Sequence, residues 1–238
     1  TRGMLDEYCF DHRGFKKRVY MALFARRWLA GARRIHCTAD EELRQSQRFF
    51  PAGRGVVIPN LMDLAPFANP PGPDLARQKF PFLPAPRPVA VFLGRLHPIK
   101  GIDRLLDAAK ILFDRGKPFD IVLAGPPESD DYDRQLRAQA QRLGLADSVH
   151  FVGMVSGPAK LSLLRACDLF VQPSHHENFG MSLVEALACA LPVVTTHGVK
   201  IWPELERSGG AVITSAEPEP FAAALESVLF DRSRLQDM

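Results

Sequence analysis

The sequence predicts an α/β protein with a doubly wound parallel sheet. Short apolar runs alternate with segments of helical spacing between about residues 55 and 213. Strands that alternate with helices in this way pair in parallel and carry helices on both faces of the sheet. A chain of 238 residues, of which 46% are hydrophobic, can bury a core of that kind.

The elements follow from local pattern. The predicted strands are apolar or β-branched runs at 56–58, 89–93, 120–124, 149–152, 169–171, 192–195 and 211–213. The predicted helices, in which apolar residues recur every three or four positions, cover 102–115, 132–143, 158–167 and 182–190. Ligands of such sheets bind beyond the carboxyl ends of the strands, so the loops that follow the strands are where a site is expected.

Two further helix patterns, at 13–32 and 39–50, precede the alternating region. They show no full strand alternation of their own and are too short to enclose a core of normal size. Residues 63–73 are rich in proline and read as a linker or surface excursion. We therefore predict a domain change there, with one unit at 1–62 and the sheet-bearing unit at 63–238.

The composition argues against several classes of function. A formal net charge of +3 is too small and too dispersed for a nucleic-acid-binding surface. No apolar run reaches the length of a membrane span, and the first residues show no signal-peptide core, so we expect a cytoplasmic protein. The widely separated cysteines predict reduced thiols instead of a metal site or a disulfide framework; they are Cys9, Cys37, Cys167 and Cys189.

The strand at 89–93 runs directly into a turn with two cations, the segment GRLHPIKG at residues 94–101. This turn lacks the glycine fingerprint of dinucleotide-binding folds and the glycine-lysine signature of P-loops. Cationic side chains, instead of a glycine-rich backbone loop, would therefore bind a phosphate. Arg95 offers a planar fork and Lys100 a compact charge beside it, which together suit a diphosphate.

A second polar cluster follows the strand at 169–171, in the segment HENFGMSLVEA at residues 176–186. Glu177 lies in the loop, and Glu185 lies about two turns into the next helix, where a carboxylate can accept hydrogen bonds from a sugar diol. The first amides of that helix, where the macrodipole favours an anion, belong to Met181, Ser182 and Leu183. The two clusters together indicate a site for a sugar joined to a diphosphate.

At these residues the sequence resembles the family-four retaining glycosyltransferases, which have the two-domain GT-B fold. The match is to G-R-L-x-x-x-K-G from Gly94 to Gly101 and to E-x7-E from Glu177 to Glu185. Less specific echoes occur in the family's order at 36–41, 58–60, 151–153, 203–205 and 209–210. The resemblance implies that 63–238 is the Rossmann-like, nucleotide-sugar-binding C-terminal half of a GT-B fold. It implies that 1–62 is the remnant of the N-terminal acceptor domain.

The resemblance also implies a transferase of class EC 2.4 that uses a nucleotide-diphosphate-sugar, a UDP- or GDP-sugar, with retention of configuration. The acceptor, a glycan, lipid or small molecule, stays open, and this chain alone is expected to bind nucleotide without transferring sugar. The implied catalytic residues are Arg95 and Lys100 on the diphosphate and Glu177 on the sugar. The implied donor-binding residues are Gly94, Gly153, Met154, Asn178, Phe179, Gly180, Met181, Ser182, Leu183 and, on the ribose, Glu185.

No metal or other cofactor is expected. His175 and His176 are neighbours on an extended loop, where successive side chains point in opposite directions. No D-x-D signature follows a strand near the site, and Asp130 and Asp131 are predicted to lie in a loop. Arg95 and Lys100 can neutralise the diphosphate charge that a metal would otherwise neutralise. The resemblance also implies a metal-independent transferase.

Three alternatives remain open from the residues. They are a non-catalytic nucleotide-sugar-binding module, a nucleotide-sugar epimerase of GT-B-like architecture and a dinucleotide oxidoreductase, and the last lacks its glycine fingerprint. Two departures from the family pattern leave the donor sugar and base open. Leu61 and Met62 stand where glycine usually follows Asn60, and residues 198–202 replace the usual glycine-rich turn before Glu204.

Residues 15–29 mix Lys and Arg with aromatic and aliphatic side chains, as an interfacial helix does. We favour packing of its apolar face, along Val19, Leu23 and Trp28, on the rest of an N-terminal domain. The alternative is peripheral contact with the inner face of a membrane. In this chain by itself, that apolar face is expected to be exposed and to promote self-association.

Overall fold

A computed structural model describes residue 5, residues 19–83, residues 85–231 and residue 238. A π-helical stretch, Met21–Ala25, continues into α1, Arg26–Gly31, and this confirms the described part of the predicted 13–32 helix. Residues 13–18 lie outside the described part. No helix of the described residues is long and apolar enough to cross a membrane.

The centre of the fold is a sheet of six parallel strands, which confirms the predicted fold class. The strands are β3 (Val89–Leu93), β4 (Asp120–Ala124), β5 (Val149–Gly153), β6 (Leu169–Gln172), β7 (Val193–Thr196) and β8 (Ala211–Thr214). Their order in space is β5-β4-β3-β6-β7-β8. The chain therefore runs outward from β3 to β5 and returns to β6 on the other side of β3. Such a reversal is the switch point at which ligands of open α/β sheets bind.

Helices cover both faces of this sheet. They are α4 (Asp74–Lys79), α5 (Ile102–Asp114), α6 (Asp130–Arg142), α7 (Gly157–Ala166), α8 (Met181–Ala188), α9 (Trp202–Arg207) and α10 (Pro218–Leu229). Helices α5, α6 and α10 pack with Ala90 and Phe92 in one buried cluster. Helices α4, α7, α8 and α9 pack with Val89 and Val91 in the other. The two-residue period of a strand thus sends alternate side chains of β3 into opposite cores.

A separate small sheet corrects one prediction. Ile35–Cys37 forms β1 and pairs in parallel with β2, Gly55–Val57, so the predicted strand at 56–58 does not join the main sheet. β1 escapes prediction because it is three residues long and His36 at its centre is exposed. It is followed by α2, Asp40–Ser46, and a 3-10 turn, Gln47–Phe49, within the predicted 39–50 helix.

The proline-rich stretch at 63–73 is not wholly irregular, because Ala65–Ala68 forms the short helix α3 with proline in its first turn. In the N-terminal segment, Leu5, Met21, Ile35 and Phe50 form a small buried cluster apart from the two main cores. The domain boundary at 62–63 stays a prediction.

Asp130 and Asp131 were predicted to lie in a loop, but the structure places them in the first turn of α6. Ser129 caps that helix, since its hydroxyl accepts a hydrogen bond from the amide of Tyr132 at 3.2 Å. Negative charge in a first turn is favoured by the macrodipole, which explains the acidic run without a metal.

The described cysteines, Cys37, Cys167 and Cys189, are buried thiols outside any disulfide, as expected, and Cys9 lies outside the described residues. Burial raises the pKa of the Cys167 thiol, and the neighbouring charge of Asp168 raises it further. Burial also raises the pKa of Cys189. A thiol kept protonated is a poor nucleophile, so these cysteines act as core side chains.

Candidate functional site

The loops that follow β3 and β6 meet beyond the carboxyl ends of these neighbouring strands. The amide of His175, after β6, donates a hydrogen bond to the carbonyl of Ile99, after β3, at 2.9 Å. Gly101 allows this approach, because it has a positive φ of 66° and a Cβ at this position would clash with the carbonyl oxygen of Pro173. The two predicted polar clusters therefore belong to one site.

Lys100 and Glu177 form an ion pair across this junction. Lys100 ends a 3-10 turn, Pro98–Lys100, which His97 caps by accepting the amide hydrogen of Ile99 at 3.0 Å. Both charged side chains are about four-fifths buried, with exposures of 21% and 20%. Partial burial strengthens the attraction between the charges and also makes either one costly to leave alone.

Glu177 is held by more than its ion pair. Gln172, the last residue of β6, donates from Nε2 to a Glu177 carboxylate oxygen at 3.2 Å. Ser182 donates in turn to Gln172 Oε1 at 3.2 Å. The backbone of Glu177 is bonded on both sides, because its amide donates to Gly198 and its carbonyl accepts from Lys200. The carboxylate therefore has a defined position before any ligand arrives.

Arg95 lies apart from this pair. Its guanidinium forms an ion pair with Glu128 at 2.6 Å and its side chain is 60% exposed. The structure thus does not bring Arg95 and Lys100 onto one partner. An exposed ion pair contributes about 0 to 1 kcal/mol, so exchanging Glu128 for a phosphate costs little. The predicted role of Arg95 stays a prediction.

The start of α8 borders a cavity of about 360 Å³. Its lining consists of Asn60, Glu177, Asn178, Phe179, Gly180 and Met181, five of which are predicted site residues. Gly180 precedes the helix with a positive φ of 77°, and a Cβ there would press on the buried side chain of Leu183. One expectation is wrong: the amide of Leu183 is not free, because it donates to the carbonyl of Gly180 at 3.0 Å.

Glu185 faces a different cavity, of about 590 Å³. Its carboxylate pairs with Lys160 of α7 at 2.7 Å, and the two side chains are 18% and 22% exposed. The lining is mostly apolar and comes from the 61–71 stretch and helices α7 and α8; it includes Leu61, Met62, Asp63, Phe67, Leu161 and Met181. Lys160 was not found from the sequence, since a single lysine in a helix pattern carries no local signal.

Asn178 reveals two more residues that sequence reasoning missed. Its Nδ2 donates to the hydroxyl of Thr38 at 2.8 Å, and that hydroxyl donates to the buried carboxylate of Glu42 at 3.0 Å. Glu42 also accepts the amide hydrogen of Thr38 at 2.6 Å. The loop that carries Glu177 is thereby fixed to the N-terminal segment.

The remaining predicted residues, Gly94, Gly153 and Met154, lie outside the lining of both cavities. Gly94 directly follows β3, and its amide donates to Ala124 at 2.9 Å. Gly153 ends β5 with a φ of 68°, and the next residue, Met154, is 72% exposed. These two positions are separated from β3 by β4 and line neither cavity. Among the described residues no group of three His, Cys, Asp or Glu side chains is placed to hold a metal, and metal-free chemistry stays a prediction.

Comparison with known proteins identifies the family. Residues 76–238 match the model of glycosyl transferases group 1. The chain belongs to this family. D-inositol 3-phosphate glycosyltransferase 2 of Catenulispora acidiphila is 31% identical over 215 residues, which is 87% of this chain and 50% of that protein. The D-inositol 3-phosphate glycosyltransferase of Mycolicibacterium gilvum is 38% identical over 180 residues, 74% of this chain and 39% of that one.

Solved structures of this architecture agree on the fold. The Anabaena protein HepE, crystallised with UDP and glucose, superposes with a TM-score of 0.82 at 24% identity, over all of this chain and 62% of HepE. Sucrose-phosphate synthase from Thermosynechococcus elongatus gives 0.80 at 22% identity, over all of this chain and 59% of the synthase. The chain spans half or less of the length of the curated glycosyltransferases it matches.

Proposed function

We propose that this chain supplies the donor site of a glycosyltransferase of class EC 2.4, which moves a sugar from a nucleotide-diphosphate-sugar to an acceptor hydroxyl. The observation that carries the proposal is the ion pair of Lys100 with Glu177 at the edge of the 360 Å³ cavity. A cation for the diphosphate and a carboxylate for the sugar hydroxyls are thereby within one ligand length, at the switch point of the sheet.

The proposed chemistry is stabilisation of the leaving group. The bond between the anomeric carbon and the diphosphate breaks, and its electron pair stays on the phosphate oxygen. The acceptor oxygen bonds to the carbon, and its proton passes to the departing diphosphate. Lys100 has three N–H donors, so it can keep Glu177 and still donate to a phosphate oxygen. A fixed cation at the developing negative charge lowers the barrier. Arg95 also binds the diphosphate, once its guanidinium has exchanged Glu128 for a phosphate oxygen.

The sugar and the nucleoside take the two cavities. Glu177, with Asn178 and Phe179 beside it, orients the hydroxyls of the hexose in the smaller cavity. Glu185 accepts hydrogen bonds from the ribose diol at the larger cavity, and Gly153 and Met154 approach the base. The two carboxylates bind and orient, and neither acts as the acid of a glycosidase pair. Retention of configuration follows from the family-four resemblance.

UDP is the first nucleotide to test, because HepE was crystallised with UDP and glucose, and a GDP-sugar is the alternative. An inositol phosphate is the first acceptor to test, in view of the relatives named D-inositol 3-phosphate glycosyltransferases. The reaction is proposed to need no metal. We also propose a cytoplasmic enzyme, in which the exposed apolar side chains of residues 19–29 contact a partner domain or the membrane surface.

A thermal-shift screen of UDP, GDP, ADP and their glucose conjugates tests the donor site. A ligand that binds only the folded state stabilises it by RT ln(1 + [L]/Kd), so one nucleotide series should raise the melting temperature as its concentration rises. A turnover assay with the selected donor then separates a transferase from a nucleotide-sugar-binding module. No shift with any of these nucleotides would overturn the proposed donor site.

A further inference from the structure

The pairing of Lys160 with Glu185 has no assigned purpose. The two residues come from different helices, α7 and α8, and their charged atoms are 2.7 Å apart at the edge of a largely apolar cavity. Both side chains are about four-fifths buried. A partly buried ion pair often stabilises a fold no more than apolar residues of similar volume would, so its presence at a cavity calls for a reason in binding.

The chemistry of a diol provides that reason. An ionised carboxylate only accepts hydrogen bonds, whereas a protonated carboxyl uses one oxygen as a donor. Two adjacent hydroxyls of a ribose can each donate to a carboxylate that is ionised and held in one orientation. The ammonium of Lys160 donates to Oε1 of Glu185 at 2.7 Å, which fixes the orientation of the carboxylate and leaves Oε2 and the remaining lone pair of Oε1 available.

We propose that Lys160 is a positioning residue that holds Glu185 as a diol acceptor and so makes this site select ribonucleotides over deoxyribonucleotides. The inference rests on the proposed nucleotide-sugar site. Lys160 acts through Glu185 and does not itself touch the nucleotide. Loss of Lys160 should therefore weaken a ligand that has both ribose hydroxyls far more than a ligand that lacks one.

The test compares the dissociation constants of UDP and 2′-deoxy-UDP by calorimetry. The wild-type chain should prefer UDP by roughly tenfold, the scale of one hydrogen bond to a charged group. Lys160→Met should lose roughly tenfold in affinity for UDP and less than twofold for 2′-deoxy-UDP, so the preference disappears. Lys160→Arg keeps the cation and should restore it. Lys110→Met, in an exposed pair with Asp114 on α5, is the matched control and should leave both constants unchanged.

A double-mutant cycle guards against a merely structural effect. Glu185→Gln keeps the shape of the side chain, and in that background Lys160→Met should weaken UDP no further, because the group it orients is gone. Equal loss of both nucleotides in Lys160→Met would mean that Lys160 contacts the ligand or supports the fold, and the inference would be wrong. A preference for UDP over 2′-deoxy-UDP that is unchanged in Lys160→Met would also contradict the inference.

The failure of this inference is distinguishable from the failure of the donor site. If UDP binds, and Lys100→Ala weakens it while Lys160→Met leaves the ribose preference intact, then only the inference is overturned. If the wild-type chain binds neither nucleotide, the donor site proposed for UDP and this inference are overturned together.

Discussion

Lys100 and Glu177 lie 77 residues apart in sequence and form an ion pair where the loops after β3 and β6 meet. Each residue was predicted to bind a different part of one ligand, the cation a phosphate and the carboxylate a sugar. Their contact means that the two halves of the proposed donor site are already together in the free protein. Preorganised charges need little rearrangement when a transition state forms.

The two glutamates should respond differently to the sugar. Glu185→Ala should weaken UDP by about 1 to 3 kcal/mol, because the ribose diol loses a charged acceptor. Glu177→Ala should weaken UDP-glucose more than it weakens UDP, since its partner is the hexose. Calorimetry with both ligands on both variants measures the difference, and equal effects of Glu177→Ala on the two ligands would show that its partner is misassigned.

The bond between Asn178 and Thr38 should stabilise the fold as well as the loop. Thr38→Val removes the hydroxyl that accepts from Asn178 and donates to the buried carboxylate of Glu42. We expect a loss of about 1 to 3 kcal/mol in the free energy of unfolding, because the buried carboxylate of Glu42 and the partly buried amide of Asn178 each lose a partner. Urea denaturation measures it. Thr214→Val, in β8, is the control and should change stability by less than about 0.5 kcal/mol. Equal losses in the two variants would contradict the proposed network.

His150 should make stability depend on pH. Burial, partly offset by the charge of Asp120, lowers the pKa of the His150 imidazole, which stacks on Phe82 with ring centres 3.9 Å apart. The unfolded chain then binds more protons than the folded chain below about pH 6.5, the usual value for histidine. The stability that neutral His150 contributes is present above about pH 6.5. It is lost as the pH falls through the pKa of His150 in the folded chain.

His150→Gln should therefore lose less stability than the wild-type chain between pH 7.5 and pH 5.5. Urea denaturation at the two pH values gives the comparison. An NMR titration of the wild-type imidazole gives the same answer directly, with a midpoint below that of free histidine. A midpoint above it would mean that the pair with Asp120 outweighs burial.

Much of the sheet could be predicted from sequence because its four central strands, β3, β4, β6 and β7, are short and almost wholly buried runs. The predicted bounds of β3 and β4 are those observed, and both strands are buried from end to end or nearly so. The Glu177 loop and Lys100 could be placed together because each follows a strand of one parallel sheet. The motif spacing then assigned them to a family.

What the sequence could not predict depends on contacts between distant residues. Lys160 and Thr38 gain their roles from partners 25 and 140 residues away, Glu185 and Asn178, and nothing in their own neighbourhoods marks them. The engagement of Arg95 with Glu128 is likewise a tertiary contact. β1 was missed because three residues with an exposed histidine at the centre give too little pattern.

The N-terminal helical segment should make the chain self-associate. Val19, Leu23 and Trp28 are 41%, 61% and 80% exposed, as the sequence predicted. Burying such a surface in a second copy removes apolar area from water. Sedimentation velocity should show an average molecular mass that rises with protein concentration. Leu23→Gln should reduce this rise. Leu75→Gln, at an exposed leucine of α4, is the matched control. A chain that stays monomeric at all concentrations would contradict the prediction.

The central claim is that Lys100 binds the diphosphate of a nucleotide sugar, and calorimetry of UDP binding to Lys100→Ala tests it most directly. The account predicts a loss of about 1 to 3 kcal/mol in binding free energy, or roughly 5- to 150-fold in the dissociation constant, measured at a temperature where the variant is folded. Lys110→Ala, on the exposed face of α5, is the matched control and should bind UDP as the wild-type chain does. UDP affinity that is equal in the wild-type chain and in Lys100→Ala would contradict the account.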